Sequence, residues 1–255
     1  MEKINEHFIG DEALYTRVLS IKEQVLKQNM WYLFSFMNPH EVDVIKRIIG
    51  KKDGLVVLVD GGFDDSEMTR VIITPDFYEI EKNDFQISIY EISYPSKFVK
   101  IGHRDVLGAL MSLGLKRQSY GDIIFEDNHA YFAVDASMDL YIETHLQFIS
   151  TGGIRLKKIN KRLKRKQEYQ IKTFSVPSFR LDAIISELFQ ISRSQAKKYI
   201  ESGFVKVNYK EVEQSHFLCH NNDVISLRRY GRVLIHDLEK QNRKGKYLIE
   251  GCFYQ

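Results

Sequence analysis

The sequence predicts an α+β protein built from three structural parts. At 255 residues the chain is longer than one average domain. Helix-period and strand-period segments alternate along its first two thirds, and its last third holds two short amphipathic helices followed by strands. These patterns predict a small α/β domain at 1–80, a βαββαβ domain at 81–160, a basic linker at 161–177, and a C-terminal domain with an extension at 178–255.

Composition excludes several classes of protein. The longest apolar run, Leu55–Val59, is far shorter than the roughly 20 residues needed to cross a bilayer. The residues that follow Met1 lack the basic and then apolar pattern of a signal peptide. Two distant cysteines, Cys219 and Cys252, provide no disulfide framework. We therefore expect a cytoplasmic protein that does not associate with a membrane.

Charge is distributed unevenly along the chain. Up to Ile154 there are 15 Lys/Arg and 24 Asp/Glu, a balance of −9, whereas Arg155–Gln255 has 22 against 10, a balance of +12. Clustered positive charge is typical of proteins that bind a polyanion, because each neutralised phosphate releases condensed counterions. The sequence therefore predicts a nucleic-acid contact on the C-terminal side.

The N-terminal part combines two helices with two strands. A helix is predicted at 11–29, and a second begins at Asn38-Pro39-His40-Glu41, where Asn38 caps the helix and Pro39 takes its first position. Strands at 55–59 and 70–75 flank an acidic turn with Gly61 and Gly62. This turn lacks the spacing and the lysine of a phosphate-binding loop, so an ordinary turn is expected.

The central part follows the order strand, helix, strand, strand, helix, strand. The predicted elements are strand 85–92, helix 104–113, strand 122–126, strand 130–135, helix 138–148 and strand 154–159. Asp127–His129 is short enough to join the middle strands as a hairpin. This order is that of a ferredoxin-like or RRM-like fold, whose helices cover one face of the sheet.

The other face of an RRM stacks nucleic-acid bases. Alternation along the strands predicts that Phe132 and Val134 face the core and that Tyr90 and Tyr131 face away from it. Two tyrosines do not reproduce the aromatic and basic consensus of a base-stacking face. We therefore favour a face packed against another part of the protein over one that stacks bases.

The C-terminal part carries the most specific pattern. Its first helix opens with Arg180-Leu181-Asp182, and its second spans 193–202, with Ser192 and Gln195 as a capping-box pair and Gly203 at the end. Gly203-Phe-Val-Lys-Val-Asn208 and a later Asp223-Val-Ile follow. This order over about sixty residues resembles the S4 (αL-type) RNA-binding domain, which implies binding to structured RNA. The chain departs from the usual Val-Asn-Gly turn by having Tyr209.

The resemblance extends upstream. Four upstream segments are similar to segments of the YlmH-type S4-domain proteins of bacteria. They are Asn38–Glu41, Gly61–Phe63, Arg104–Arg117 and Tyr120–Ile123. This resemblance implies rRNA or tRNA as the ligand and association with the ribosome, on its large subunit with tRNA. It also implies a role in translation quality control or rescue, with a link to cell division.

Candidate RNA contacts are the cations and polar groups of the S4-like part. They are Arg180, Arg193, Ser194, Lys197, Lys198, Lys206, Asn208, Arg228, Arg229 and Arg232. Secondary contacts are expected from the basic residues between 157 and 165 and from two residues that follow the helix predicted at 104–113. They are Lys157, Lys158, Lys161, Arg162, Lys164, Arg165, Lys116 and Arg117. Arginine forks can grip phosphate oxygens in pairs, whereas lysines act as mobile point charges.

Catalytic and metal-binding readings compete with this one. Arg180-Leu181-Asp182 also occurs in pseudouridine synthases, where the aspartate is the nucleophile, but no synthase core is evident upstream. His216, Cys219 and His220 lack a fourth ligand and would point in different directions. We expect a non-catalytic protein without cofactor, metal or small-molecule substrate. An RNA-modifying enzyme and a protein-interaction adaptor that uses the acidic N-terminal half remain alternatives.

Overall fold

The computed structural model describes residue 8 and residues 10–50, 53–96, 98–126, 129–165 and 167–254. The chain forms two compact units, residues 1–166 and residues 167–255. Both mix helices with antiparallel sheets, which confirms the predicted α+β class. Within the described ranges, no helix is both long enough and apolar enough to cross a membrane.

The N-terminal unit begins with a three-stranded sheet and two helices. The elements are α1 (Glu12–Gln28), β1 (Tyr32–Met37), α2 (Pro39–Ile49), β2 (Leu55–Asp60) and β3 (Thr69–Pro75), and the strand order is β1-β3-β2. Helix α2 starts as predicted: Asn38 Oδ1 accepts from the Glu41 N–H at 3.1 Å, and Glu41 Oε2 accepts from the Asn38 N–H at 2.8 Å. This reciprocal pair satisfies two N–H groups that a helix start leaves free.

The second sheet of this unit has the predicted βαββαβ order. The elements are β4 (Ile87–Ser93), α3 (His103–Ser112), β5 (Tyr120–Glu126), β6 (His129–Asp135), α4 (Asp139–His145), the short pair β7 (Phe148–Ile149) and β8 (Gly152–Gly153), and β9 (Arg155–Ile159). The strands are arranged β5-β6-β4-β9, all antiparallel. In the predicted hairpin turn, residues 127 and 128 lie outside the described residues.

The orientation predicted for Tyr90 is wrong. Tyr90 is directly opposite Phe132, and the two rings stack at 5.5 Å in the core beneath the helices. Its hydroxyl donates to Glu143 Oε1 of α4 at 2.7 Å. Burial and this hydrogen bond raise the pKa of Tyr90 far above that of a free phenol. The side chain is therefore a core residue with a satisfied hydroxyl.

The sheet face opposite the helices is covered by the first sheet and its turn. Phe36, Phe63 and Met68 pack there with Ala133, and Tyr131 lies at the edge of the same cluster. The Gly61–Gly62 turn makes this approach feasible. A Cβ on Gly62 would lie 3.1 Å from Ile87, and its φ of +88° suits glycine. The part of this face that these residues form is thus packed, as expected.

The segment after β9 differs from the predicted linker. Leu163 is buried in the same cluster, the Asp64 N–H donates to the Leu163 carbonyl at 2.9 Å, and the Arg165 N–H donates to the Asp64 carbonyl at 2.9 Å. The second half of the expected linker is largely strand β10 (Tyr169–Val176) of the other unit. Both halves are therefore structured, and the unit boundary falls between them.

The C-terminal unit places two helices on one face of a six-stranded sheet. Its further elements are α5 (Leu181–Leu188), α6 (Arg193–Glu201), β11 (Val205–Val207), β12 (Lys210–Glu211), β13 (Val224–Leu227), β14 (Gly231–Gln241) and β15 (Tyr247–Tyr254). The strand order is β10-β15-β14-β13-β11-β12. The C-terminal extension forms β15, which pairs with both β10 and β14. It is thus an inner strand of the sheet.

Candidate nucleic-acid interface

Two arginines of the C-terminal unit share one carboxylate. Arg180 Nε and Nη2 donate to the two oxygens of Asp182, both at 3.1 Å. Arg193 Nε and Nη2 donate to the same oxygens at 3.1 and 3.2 Å. The Asp182 side chain is 6% exposed, whereas those of Arg180 and Arg193 are 41% and 52% exposed. A buried anion therefore holds two cations that still face solvent.

Local structure sets this geometry. Asp182 lies in the first turn of α5, and Arg193 is the first residue of α6. The α5–α6 turn uses Gln190 at a φ of +53°, and the Ser186 hydroxyl donates to the Ile191 carbonyl at 2.7 Å. Ser192 Oγ then accepts from the Gln195 N–H at 3.2 Å. The turn and the cap together fix the start of α6 beside the start of α5.

The predicted capping box at this helix is only half formed. Gln195 Nε2 donates to the Tyr199 hydroxyl at 3.1 Å, one turn along the helix, and no bond from the Gln195 side chain to the Ser192 backbone is present. Ser192 alone therefore provides the side-chain cap. The closing residue is as predicted, because Gly203 has a φ of +71°.

Asp182 stays ionised in this setting. Burial alone would raise its pKa, but hydrogen bonds from Arg180 and Arg193, together with their charges, outweigh burial and hold the pKa of Asp182 below its usual value. The hydrogen bonds from Arg180 to Asp182, together with the charge of Asp182, raise the pKa of Arg180. Two guanidinium groups against one carboxylate give this cluster a net positive charge.

An open cleft of about 390 Å³ adjoins these groups. We call it the arginine cleft, and its lining residues are Arg180, Asp182, Arg193, Ser194, Lys197 and Ser215. Three cations against one carboxylate, with hydroxyls and the start of a nine-residue helix nearby, suit a phosphate group. Lys197 also lies 3.6 Å from Glu201, in an exposed pair that leaves the ammonium free to move.

A second cationic element is the turn between β13 and β14. Arg228, Arg229 and Tyr230 are all exposed there, and Arg229 has a φ of +73°. The Arg228 N–H donates to the Phe204 carbonyl at 3.0 Å, and its guanidinium lies 5.3 Å from the centre of the Phe204 ring. The turn is thereby anchored, while its two arginines point away from the core.

Aromatic rings adjoin this turn. Tyr230 and Phe204 are 43% and 37% exposed, and both contact Tyr199, with ring centres 5.8 and 6.1 Å apart. Exposed rings beside arginines can accept an unpaired base by stacking. Ser215, Phe204 and Tyr230 were not predicted as site residues. Phe204 and Tyr230 could have been predicted, because they directly follow Gly203 and Arg229 in the sequence. Ser215 lies in an irregular segment without any sequence pattern that would indicate a site.

Other predicted contacts have structural roles. Asn208 Nδ2 donates to Asp223 Oδ1 at 2.7 Å, and Asn208 Oδ1 accepts from the Val224 N–H at 2.9 Å. Asn208 and Tyr209 have φ values of +49° and +70°, so a tyrosine occupies the left-handed position that glycine usually takes. Arg232 lies 4.1 Å from the centre of the Tyr254 ring. Lys198 and Lys206 are exposed.

The secondary contacts lie mainly on what we call the paired basic segment, residues 155–165. Arg165 contacts Glu67 at 2.8 Å and Asp122 at 3.6 Å, and Asp122 is itself buried. Further ion pairs of this segment join Arg162 to Asp60 and Asp64, Lys164 to Asp65, and Lys158 to Asp139. Lys157 and Lys161 are exposed.

The two predicted contacts at the end of α3 differ from each other. Lys116 is exposed. Arg117 donates from Nη1 to the Tyr120 carbonyl at 2.7 Å, and its guanidinium lies 4.8 Å from the centre of the Tyr120 ring. Arg117 therefore packs against the start of β5.

The His216, Cys219 and His220 group does not converge. Both histidines are exposed, whereas Cys219 is buried in the core. Burial and the nearby Asp223 raise the pKa of the Cys219 thiol to about 12, so it stays protonated. These three residues provide no common site.

Comparison with known proteins gives concordant matches. Residues 81–162 match the family model described as "Putative RNA-binding domain in YlmH", and residues 179–225 match the S4 domain. The chain is 31% identical over 252 residues, 98% of each chain, to "Ribosome-associated protein quality control protein P2" of Bacillus subtilis (strain 168). A solved structure, "Cell division protein ylmH from Streptococcus pneumoniae", shares 30% identity at a TM-score of 0.52, covering 62% of this chain and 96% of that chain. The chain belongs to the YlmH-type family of S4-domain RNA-binding proteins.

Proposed function

We propose that this protein binds structured ribosomal RNA and tRNA without catalysing a reaction on them. It acts in the cytoplasm on the large ribosomal subunit with tRNA, in translation quality control or rescue. The Bacillus relative's name supports the ribosomal part of this proposal, and the Streptococcus relative's name supports a further link to cell division.

The arginine cleft carries the proposal. Its two guanidinium groups are already oriented by Asp182, and the part of each that faces solvent can donate to phosphate oxygens. Lys197 adds a mobile charge, and the exposed turn of Arg228 and Arg229 adds two more. Phosphate contacts of this kind fix the position of a protein on RNA, whereas stacking on Tyr230 or Phe204 would distinguish unpaired bases from paired ones.

The arrangement of Asp182 favours binding over catalysis. Both of its oxygens accept hydrogen bonds from two arginines, so the carboxylate is committed to orienting them. A nucleophile would need at least one oxygen aimed at a substrate atom. We expect no modified uridine after incubation of the protein with RNA. A product that disappears in Asp182→Asn would instead establish the synthase alternative.

Among the secondary contacts, the proposal retains Lys116, Lys157 and Lys161, whose side chains are exposed. The cations that face carboxylates of the N-terminal unit are assigned to holding that unit together. Asn208 is assigned to its turn.

Crosslinking of RNA to the protein in cells, followed by sequencing, tests the proposal. We expect enrichment of rRNA and tRNA, and loss of that enrichment in the double variant Arg193→Glu with Lys197→Glu. The matched control is Lys27→Glu with Lys46→Glu, which reverses two exposed charges of the N-terminal unit. Crosslinks to random messenger fragments, or equal loss in the control, would overturn the proposal. If the Arg193→Glu with Lys197→Glu variant loses RNA binding but still performs the protein's cellular function, the protein-interaction adaptor would be favoured instead.

A further inference from the structure

Three potential metal ligands lie together on the sheet of the C-terminal unit, away from the helices. His236 on β14 is directly opposite Glu250 on β15, and Cys252 follows Glu250 by two residues on the same face. One ligand atom from each residue lies within 4.8 Å of the others. Neighbouring strands thus bring a nitrogen, an oxygen and a sulfur donor to one place.

A neighbouring amide orients the histidine. His236 Nδ1 lies 2.9 Å from Asn222 Oδ1, and an amide oxygen can only accept a hydrogen bond. Nδ1 therefore carries the proton, and in the neutral ring the lone pair of Nε2 is left for a ligand. Asn222 is itself fixed, because its N–H donates to the Ile235 carbonyl at 2.9 Å. Metal-binding histidines are commonly oriented through their second nitrogen in this way.

The thiol is held beside the carboxylate. Cys252 is 4% exposed, and its Sγ lies 3.7 Å from Glu250 Oε1. The thiol is placed to donate its proton to this carboxylate. A metal ion would replace that shared proton, since thiolate is the form of cysteine that binds metals.

We propose that His236, Glu250 and Cys252 form a binding site for a divalent ion of the zinc type. Imidazole, carboxylate and thiolate are the ligands that zinc accepts, whereas calcium and magnesium prefer oxygen alone. Zinc bonds of about 2.0–2.3 Å require the three atoms to move closer together, which side-chain rotation on fixed strands can supply. The fourth position is taken by water. On thiolate binding, the proton of Cys252 leaves to solvent.

A bound ion would link β14, through His236, to β15, through Glu250 and Cys252. Glu250 and Cys252 belong to β15, which is the inner strand between β10 and β14. An ion that binds only the folded state stabilises it by RT ln(1 + [ion]/Kd), so the stabilisation grows with ion concentration. The inference is independent of RNA binding, because its residues do not line the arginine cleft.

Binding of Co²⁺ and Zn²⁺ to the reduced full-length chain tests this site. Co²⁺ absorption reports a metal–thiolate bond directly, and competition with Zn²⁺ gives affinity and stoichiometry. We expect one ion per chain, a thiolate charge-transfer band that Cys252→Ser abolishes, and binding at least tenfold weaker in His236→Gln. The melting temperature should rise with Zn²⁺ in the wild type and not in Cys252→Ser.

Matched variants separate this site from other ligands. Cys219→Ala removes the other cysteine and His220→Gln removes an exposed histidine, so both should bind as the wild type does. Glu250→Gln keeps the shape of the side chain and tests the site if Cys252→Ser does not fold. A wild type without the charge-transfer band, or a Cys252→Ser or Glu250→Gln variant that binds with unchanged affinity, would overturn the proposal.

Discussion

The paired basic segment and the arginine cleft both group several cations together, but the surroundings of those cations are opposite. In the segment, Arg162, Lys164 and Arg165 each face at least one carboxylate from a distant part of the N-terminal unit. In the cleft, Arg180 and Arg193 share a single carboxylate, and Lys197 adds a third cation in an exposed pair with Glu201. The positive charge of the segment is neutralised by carboxylates of its own unit, whereas the cleft keeps a net positive charge that faces solvent.

Counting charge by unit gives the same result. Residues 1–166 carry 23 Lys/Arg and 24 Asp/Glu, a net charge of −1, and residues 167–255 carry 14 and 10, a net charge of +4. Most of the contrast of −9 with +12 arises because residues 155–166, with eight Lys/Arg and no Asp/Glu, are counted there with the C-terminal side. A run of lysines and arginines therefore indicates available charge only after its carboxylate partners are known.

The largest effect is expected from removing an arginine of the segment. Arg165→Ala should lower the free energy of unfolding by about 2–3 kcal/mol, because the buried Asp122 and the partly buried Glu67 lose this cation. Urea unfolding measures this loss. RNA affinity of the folded variant should stay within about twofold of the wild type. A tenfold loss of affinity in folded protein would break the contrast between the two regions.

The cleft should show the reverse pattern. Arg193→Gln with Lys197→Gln should weaken RNA binding by about 10- to 100-fold and make the salt dependence of log K shallower by about 1.4–1.8, as for two lost phosphate contacts. The matched control, Lys158→Gln with Lys164→Gln, removes two cations from the segment. Anisotropy titrations at several salt concentrations compare the pairs, and equal slopes in both would contradict the assignment.

Acid should weaken the cleft through Asp182. Because the pKa of Asp182 is depressed in the folded state, its stabilisation is fully present above the unfolded pKa of about 3.9 and is lost as pH falls through the folded pKa. Asp182→Asn should therefore cost about 1–2 kcal/mol at pH 7 and progressively less below pH 4. Thermal unfolding across pH measures the difference. A difference that grows on acidification would be inconsistent with an ionised, paired carboxylate.

The smallest effects come from two exposed lysines. Lys164 pairs with Asp65 at 3.3 Å and Lys197 with Glu201 at 3.6 Å, and each substitution by alanine should change stability by only about 0.2–0.5 kcal/mol. RNA affinity should fall in Lys197→Ala but not in Lys164→Ala. A side-by-side titration of the two variants would sharpen the comparison, since their folded stabilities are matched.

Local signals made much of the fold predictable. The Asn38–Glu41 start of α2, the left-handed Gly203 and the βαββαβ order depend on neighbouring residues or on simple periodicity, and the structure shows each of them. The side of β4 that faces the helices could not be predicted in the same way. Ser88 and Tyr90 are buried on one face and Ile89 packs on the other, so alternation could not identify the core side.

The site was predictable in its residue types but not in its pairing. Arg180, Arg193 and Lys197 could be chosen from motif and charge, because a helix start with exposed cations is visible in sequence. The hydrogen bonds from both arginines to Asp182 depend on how α6 packs against α5, and this tertiary contact cannot be predicted from local sequence. Likewise, nothing adjacent to Arg165 indicates that its partners are Glu67 and Asp122.

The shared carboxylate of Asp182 also affects the entropy of binding. A free arginine side chain can lose about 2 kcal/mol of rotamer entropy when a ligand fixes it. Arg180 and Arg193 already have both an Nε and an Nη2 bond to one anchored group, so much of that freedom is absent before RNA arrives. In the proposed complex with RNA, Asp182 would therefore raise affinity without touching the RNA, because it limits the side-chain disorder that binding has to remove.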